Sequence, residues 1–170
     1  MGDALFTASF LNACLRHCED VGMANIAPIV NTRGPLYVHP KGIVRRTTFH
    51  VLAMYANELQ ERVASARVEA RGDSNRAKDL DAVATVDGSG KAWAVALVNR
   101  NPSAALACAV KLGDRLPDGM FDATILAGDS AEAFNDVERP NRVVPEKKQL
   151  KFTQGVVNLS PHSLTIIRIR

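Results

Sequence analysis

The chain has 170 residues, 46% of them hydrophobic and 23% charged, with a formal net charge of +3. Those proportions fit a soluble globular chain rather than a disordered one, and no apolar run approaches the ~20 residues that span a bilayer. The charge is spread evenly: +1 in residues 1–65 (six basic, five acidic) and +2 in 66–170 (fifteen basic, thirteen acidic). No basic run with interleaved aromatics marks a nucleic-acid surface, and the N-terminus shows no basic-then-apolar leader pattern.

In chain order, Asp3 is the expected N-cap of a helix over Ala4 to Val21. Leu11, Cys14, Leu15, Cys18 and Val21 form its apolar stripe, while Asn12, Arg16, Glu19 and Asp20 face away. Gly22 is the expected stop. The run from Met23 to Asn31 predicts a short strand buried on both faces, with Pro28 at its end because proline cannot donate to a ladder. A loop over Thr32 to Ile43 follows, and then a second helix from about Arg45 to Val63.

From Ala66 the pattern is all β. Leu80, Ala82, Ala84 and Val86 alternate with Asp81, Val83 and Thr85, and Asp87-Gly88-Ser89-Gly90 is a hairpin turn signal. Lys91 to Val98, Ala104 to Leu112 and Met120 to Leu126 are further strands. Asp129 to Lys148 reads as a long polar connection, and Leu150 to Phe152, Val156 to Leu159 and Leu164 to Ile169 close the chain. The expected fold is an all-β, jelly-roll-like sandwich preceded by a helix–strand–helix piece. That first piece, residues 1–65, is incomplete alone, because a strand buried on both faces needs parallel neighbours. It should therefore expose unmet apolar surface.

Few side chains suggest chemistry. Cys14, Cys18 and Cys108 make an odd count without a disulfide framework. Cys14 and Cys18 bracket His17, but their place on the apolar stripe reads as core rather than metal site. Glu58 and Glu61 read as a solvated helix face, Glu132, Glu138 and Glu146 as solvated loop, and Asp79 and Asp81 as turn residues. His162 is expected in a surface turn after Pro161, and its neighbour Ser163 would point to the opposite face of a strand. Trp93, the only tryptophan, reads as packing rather than as a sugar platform.

Three stretches carry a specific likeness. These are Asp3-Ala-Leu-Phe-Thr-Ala-Ser-Phe-Leu-Asn, Met23-Ala-Asn-Ile-Ala-Pro-Ile-Val-Asn-Thr-Arg-Gly-Pro-Leu and Arg46-Thr-Thr-Phe-His-Val-Leu. They resemble the last barrel elements of α-L-arabinofuranosidases of glycoside hydrolase family 51. Leu97-Val-Asn-Arg-Asn-Pro, the run from Phe134 to Pro145 and Leu159-Ser-Pro-His-Ser-Leu-Thr resemble the sandwich that follows in that family.

The resemblance implies a (β/α)₈ barrel joined to a C-terminal β-sandwich, with this chain supplying only the end of the barrel (1–65) and the sandwich (66–170). It implies a retaining enzyme that removes terminal arabinofuranosyl groups from arabinan and arabinoxylan oligosaccharides. Such chemistry needs two carboxyls ~5–5.5 Å apart. In the family both are glutamates that precede the matched region, so no catalytic residue is assigned here and this chain alone is expected to be inactive. Barrel enzymes place substrate contacts on loops after their strands, which points to Asn31, Thr32 and Arg33 as substrate-binding residues. Many relatives carry glutamine, which contacts the arabinose, where this chain has Pro28. No metal or cofactor is expected, and no nucleic-acid or membrane partner; the unpaired thiols fit a cytoplasmic setting. The expected partner is the remaining barrel of the parent enzyme, and a homo-oligomer is compatible with it. The alternative is a stand-alone carbohydrate-binding or oligomerisation sandwich.

Overall fold

The computed structural model describes residues 1–69 and 78–170. The part of the all-β reading that falls on 70–77 lies outside the described residues. The elements are α1 (Gly2–Arg16), β1 (Leu36–His39), β2 (Gly42–Arg45), α2 (Thr47–Glu58), β3 (Arg62–Ala64), β4 (Leu80–Val86), β5 (Trp93–Asn99), β6 (Leu106–Ala109), β7 (Gly119–Ala127), β8 (Glu146–Phe152), β9 (Val156–Leu159) and β10 (Ser163–Ile169).

Six strands form one sheet in the order β3-β4-β5-β10-β7-β8, and neighbouring strands within it run antiparallel. The pair β6–β9 lies across one face of it, and β1–β2 is a separate hairpin. The sandwich expectation holds, and the sheets do not close into a barrel.

The other face of the large sheet is covered by the two helices. Ala4, Leu5 and Ala8 of α1 and Val51, Met54 and Tyr55 of α2 pack on Val83, Ala94, Ala96, Val98, Leu126, Leu164 and Ile166. The strands' period of two sends Val95, Leu97, Ile167 and Ile169 to the opposite side, where they meet Cys108, Phe152, Val157 and Leu159. Both faces of the central strands are therefore buried. On β4, Asp81, Val83 and Thr85 are buried under the helices, while on the other face Ala84 is buried and Leu80, Ala82 and Val86 are half-buried. Trp93 packs between the sheets, beside a cavity of about 680 Å³.

The helical part corrects several expectations. Helix α1 ends at Arg16, short of Gly22, and residues 17–25 beyond it are all exposed. Asp3 lies inside its first turn, with Met1 as N-cap. The buried face is Ala4, Leu5, Ala8 and Asn12, whose small side chains bring the helix close to the sheet. Asn12, expected outside, is fully buried. Leu11 and Leu15 pack only at the margin of that face, Cys14 is half-buried and Cys18 is exposed.

No strand forms over Met23 to Ile29; Val30 makes one isolated bridge to Leu36. The run has no neighbouring strands to bury it, and Met23 (75%) and Ile29 (59%) are exposed. Within the expected loop, β1 and β2 form a hairpin closed by His39↔Gly42. Helix α2 stops at Glu58, so that β3 can pair with β4. The polar connection, expected to run to Lys148, ends at Pro145, because β8 begins at Glu146 as a charged edge strand paired with β7.

Candidate functional site

The turn from Pro28 to Leu36 is held by its own backbone. Asn31 N–H donates to Leu36 O (2.7 Å), Leu36 N–H to Ile29 O (3.2 Å) and Gly34 N–H to Asn31 O (2.6 Å). Asn31 and Thr32 adopt positive φ (56° and 39°). Asn31 tolerates this conformation, whereas β-branched Thr32 is strained by it. Gly34 is required by close approach: a Cβ there would lie 2.5 Å from Ile29 C and O.

The turn is tied to the start of α2. Arg46 donates from Nη1 to Thr32 O (2.8 Å) and from its backbone N–H to Pro35 O (2.9 Å). Its guanidinium lies 5.3 Å from the Tyr37 ring centroid, and Tyr37 stacks on His39 at 5.7 Å. Arg45 lies 5.3 Å from the Phe49 ring. Asn31 Oδ1 accepts from Val38 N–H (2.7 Å), so this side-chain oxygen organises the hairpin.

Asn31, Thr32 and Arg33 are thus adjacent and exposed on one turn. Arg33 forms no ion pair among the described residues. No Asp or Glu occurs between Asp20 and Glu58, while Arg33, Lys41, Arg45 and Arg46 do, so this stretch of chain contributes only cationic groups. Pro28 follows a cis peptide bond and offers no side-chain donor.

Several titratable groups elsewhere are engaged within the fold. Asp81 accepts from Arg16 Nη1 (2.7 Å) and Asn12 Nδ2 (3.3 Å). Asn12 Oδ1 accepts from Tyr55 OH (2.6 Å). Burial, with Asp81 adding to it, pushes the Tyr55 phenol well above its ordinary range. Glu58, expected in solvent, pairs with Arg168 at 2.7 Å. Asp79 accepts from Asn101 Nδ2 (2.9 Å), in keeping with a turn role. His162, expected on the surface, is buried between Pro102 O (2.9 Å) and Gly128 O (3.0 Å). Nothing in a single histidine after Pro161 signals that carbonyl pair, whose members lie 60 and 34 residues away.

No group of three or more His, Cys, Asp or Glu residues among the described residues is arranged to hold a metal ion. Likewise, no described helix is long and apolar enough to cross a membrane.

The sequence profile of the α-L-arabinofuranosidase C-terminal domain matches residues 1–163. The chain belongs to that family. It is 30% identical over 84% of its length to the intracellular exo-α-(1→5)-L-arabinofuranosidase of Streptomyces lividans, covering 22% of that protein. It is 28% identical over 99% of its length to a probable α-L-arabinofuranosidase C of Aspergillus fumigatus, covering 34% of it. The chain therefore spans about a third or less of these relatives. Its fold matches the crystal structure of an α-L-arabinofuranosidase from Thermotoga maritima with a TM-score of 0.86 at 21% identity, over 98% of this chain and 38% of that one. It also matches the family 51 arabinofuranosidase of Xanthomonas axonopodis with a TM-score of 0.78 at 23% identity, over 99% of this chain and 35% of that one. The resemblance to the C-terminal part of α-L-arabinofuranosidases seen in the residues is thereby established.

Proposed function

We propose that this chain is the C-terminal portion of a retaining α-L-arabinofuranosidase that removes terminal arabinofuranosyl groups from arabinan and arabinoxylan oligosaccharides, and that its own role there is structural. The observation that carries this reading is family membership over residues 1–163, joined to the chain's span of about a third of its relatives. In this reading residues 1–65 complete a barrel and 66–170 form the sandwich beside it, except that β3 (Arg62–Ala64) pairs with β4 and so belongs to the sandwich sheet. The two catalytic carboxyls come from the rest of the enzyme, and the two-carboxylate route calls for no cofactor. Asn31, Thr32 and Arg33 sit at the rim and contact the substrate, while Pro28, without a side-chain donor, does not replace the glutamine. A cytoplasmic location is supported by the relative named as intracellular.

The missing barrel has a matching surface. Phe6 (74% exposed) and Phe10 (52%) stand one turn apart on the outer side of α1, and Ile43 (62%) stands beside Val38 in the hairpin. Exposed apolar side chains of this size are candidates for an interaction surface. Co-expression with the N-terminal barrel portion of the Streptomyces lividans relative tests the reading. Association with recovery of arabinofuranoside hydrolysis supports it, and Phe6→Asp with Phe10→Asp should abolish the association while leaving the chain's own thermal transition in place. Failure to associate, or association indifferent to those substitutions, overturns it.

A further inference from the structure

The helical layer does not cover the whole sheet. Helix α2 reaches over β10 and part of β7, and β8 lies at the sheet's edge. Where the helix ends, a cleft of about 660 Å³ opens between Glu58 and the exposed corner of the sheet. Its floor follows from register. Leu126 of β7 faces the helices, so Thr124 and Asp122, two and four residues before it, share that face. Thr124 pairs with Ile166 on one side and Lys147 on the other, and Asp122 pairs with Gln149. One row of side chains thus spans three strands and the next spans two, within a footprint of about 10 by 7 Å.

We propose that this cleft binds a carboxylate-bearing oligosaccharide, one whose sugars include a uronic acid. Gln149 Nε2 donates to Asp122 Oδ1 at 3.3 Å. That hydrogen bond links the two exposed side chains and leaves Asp122 Oδ2 and Gln149 Oε1 as acceptors for hydroxyl donors. Lys147 forms no ion pair among the described residues, whereas Arg168 is matched by Glu58 at 2.7 Å and Lys148 by Glu146 at 2.5 Å. Lys147 therefore supplies an unneutralised cation at one end of the acceptor pair. A ligand that is only a chain of anionic oxygens, such as a polyphosphate, meets Asp122 in the centre and is repelled there. A ligand with hydroxyl donors and a carboxylate satisfies both kinds of group. Met120, 55% exposed in the same lining, gives an apolar surface for a sugar ring. The proposal is independent of the activity proposed above, because it rests on side chains of this chain alone, at the sandwich edge.

The test is calorimetric titration of the 170-residue chain with trigalacturonate as the probe, and with neutral arabinotriose and tripolyphosphate as comparisons. Saturable binding of trigalacturonate, tighter than either comparison, is expected. Lys147→Ala and Gln149→Ala, both at exposed edge-strand positions, should each weaken it roughly tenfold without moving the thermal transition. In the unsubstituted protein, amide NMR shifts on titration should cluster on β7 and β8. No saturation with trigalacturonate, equal or tighter binding of tripolyphosphate, affinity unchanged in both variants, or NMR shifts located elsewhere would each overturn the proposal.

Discussion

The Tyr55 hydroxyl joins the two helices. It donates to Asn12 Oδ1 at 2.6 Å and lies 3.0 Å from Ala8 O. Tyr55→Phe keeps the ring and removes only that oxygen. Ala8 O retains its helical partner within α1, so Asn12 Oδ1 is the acceptor left without a donor, at a position with no solvent exposure. Orphaning one buried polar atom costs about 1–2 kcal/mol. In a chain of this length that corresponds to a fall in Tm of roughly 2–8 °C. Circular dichroism melts at pH 7 measure it directly.

A second readout is alkaline pH. Burial first, and Asp81 second, hold the folded phenol well above its ordinary value. The unfolded chain then loses its proton near pH 10 while the folded chain keeps it, so stability falls as pH rises above about 10. Cys108, pushed up to about 11 by burial, adds a loss of the same sign beginning near pH 9. Tyr55→Phe should therefore flatten the alkaline decline without abolishing it. A variant as stable as the parent at pH 7, with the same alkaline slope, would refute the account of this interface.

Burial, reinforced by Arg45, lowers the His50 pKa, so its contribution is present above about pH 6.5 and lost as pH falls. His50→Gln should show a smaller drop in Tm between pH 7 and 5.5, and an unchanged drop counts against it. Asn135 Nδ2 donates to Arg45 O and Val143 O (both 2.8 Å), and its Oδ1 accepts from Val143 N–H (2.7 Å). Asn135→Ala should cost about 2–4 kcal/mol in urea unfolding, and a loss below about 0.5 kcal/mol would contradict the anchoring role. Gly34→Ala drives a Cβ into Ile29 and Pro28 backbone, so NMR shifts should move across residues 28–38 while those of β5 and β10 stay. Unmoved signals from Asn31 and Val38 would argue against that packing.

The sandwich is legible in the sequence because strands carry their own signal. The alternation from Leu80 to Val86 marks β4 to the residue, and the Asp87–Gly90 turn joins it to β5. The C-terminal strand is read within one residue. What is illegible depends on partners distant in sequence. Asn12 and Arg16 look like an outer helix face until Asp81, 69 and 65 residues away, is placed opposite them. The apolar run from Met23 reads as a buried strand only if parallel neighbours exist, and the described residues supply none. The same shortfall makes the exposed Phe6, Phe10 and Ile29 foreseeable as a class, though not by position. For the turn from Pro28 to Leu36, the resemblance and the residue types point to Asn31, Thr32 and Arg33 but carry no sign that Asn31 Oδ1 is engaged by Val38. The cleft beside Lys147 and Gln149 is hidden at that level because the charged start of β8 has the composition of a polar connection rather than of an edge strand.

The central claim is that this chain contributes structure, not catalytic carboxyls, to an arabinofuranosidase. Hydrolysis of 4-nitrophenyl α-L-arabinofuranoside by the purified 170-residue chain tests it most directly. The account predicts no turnover above buffer. Turnover that disappears when one of the chain's own carboxylates is substituted would contradict it.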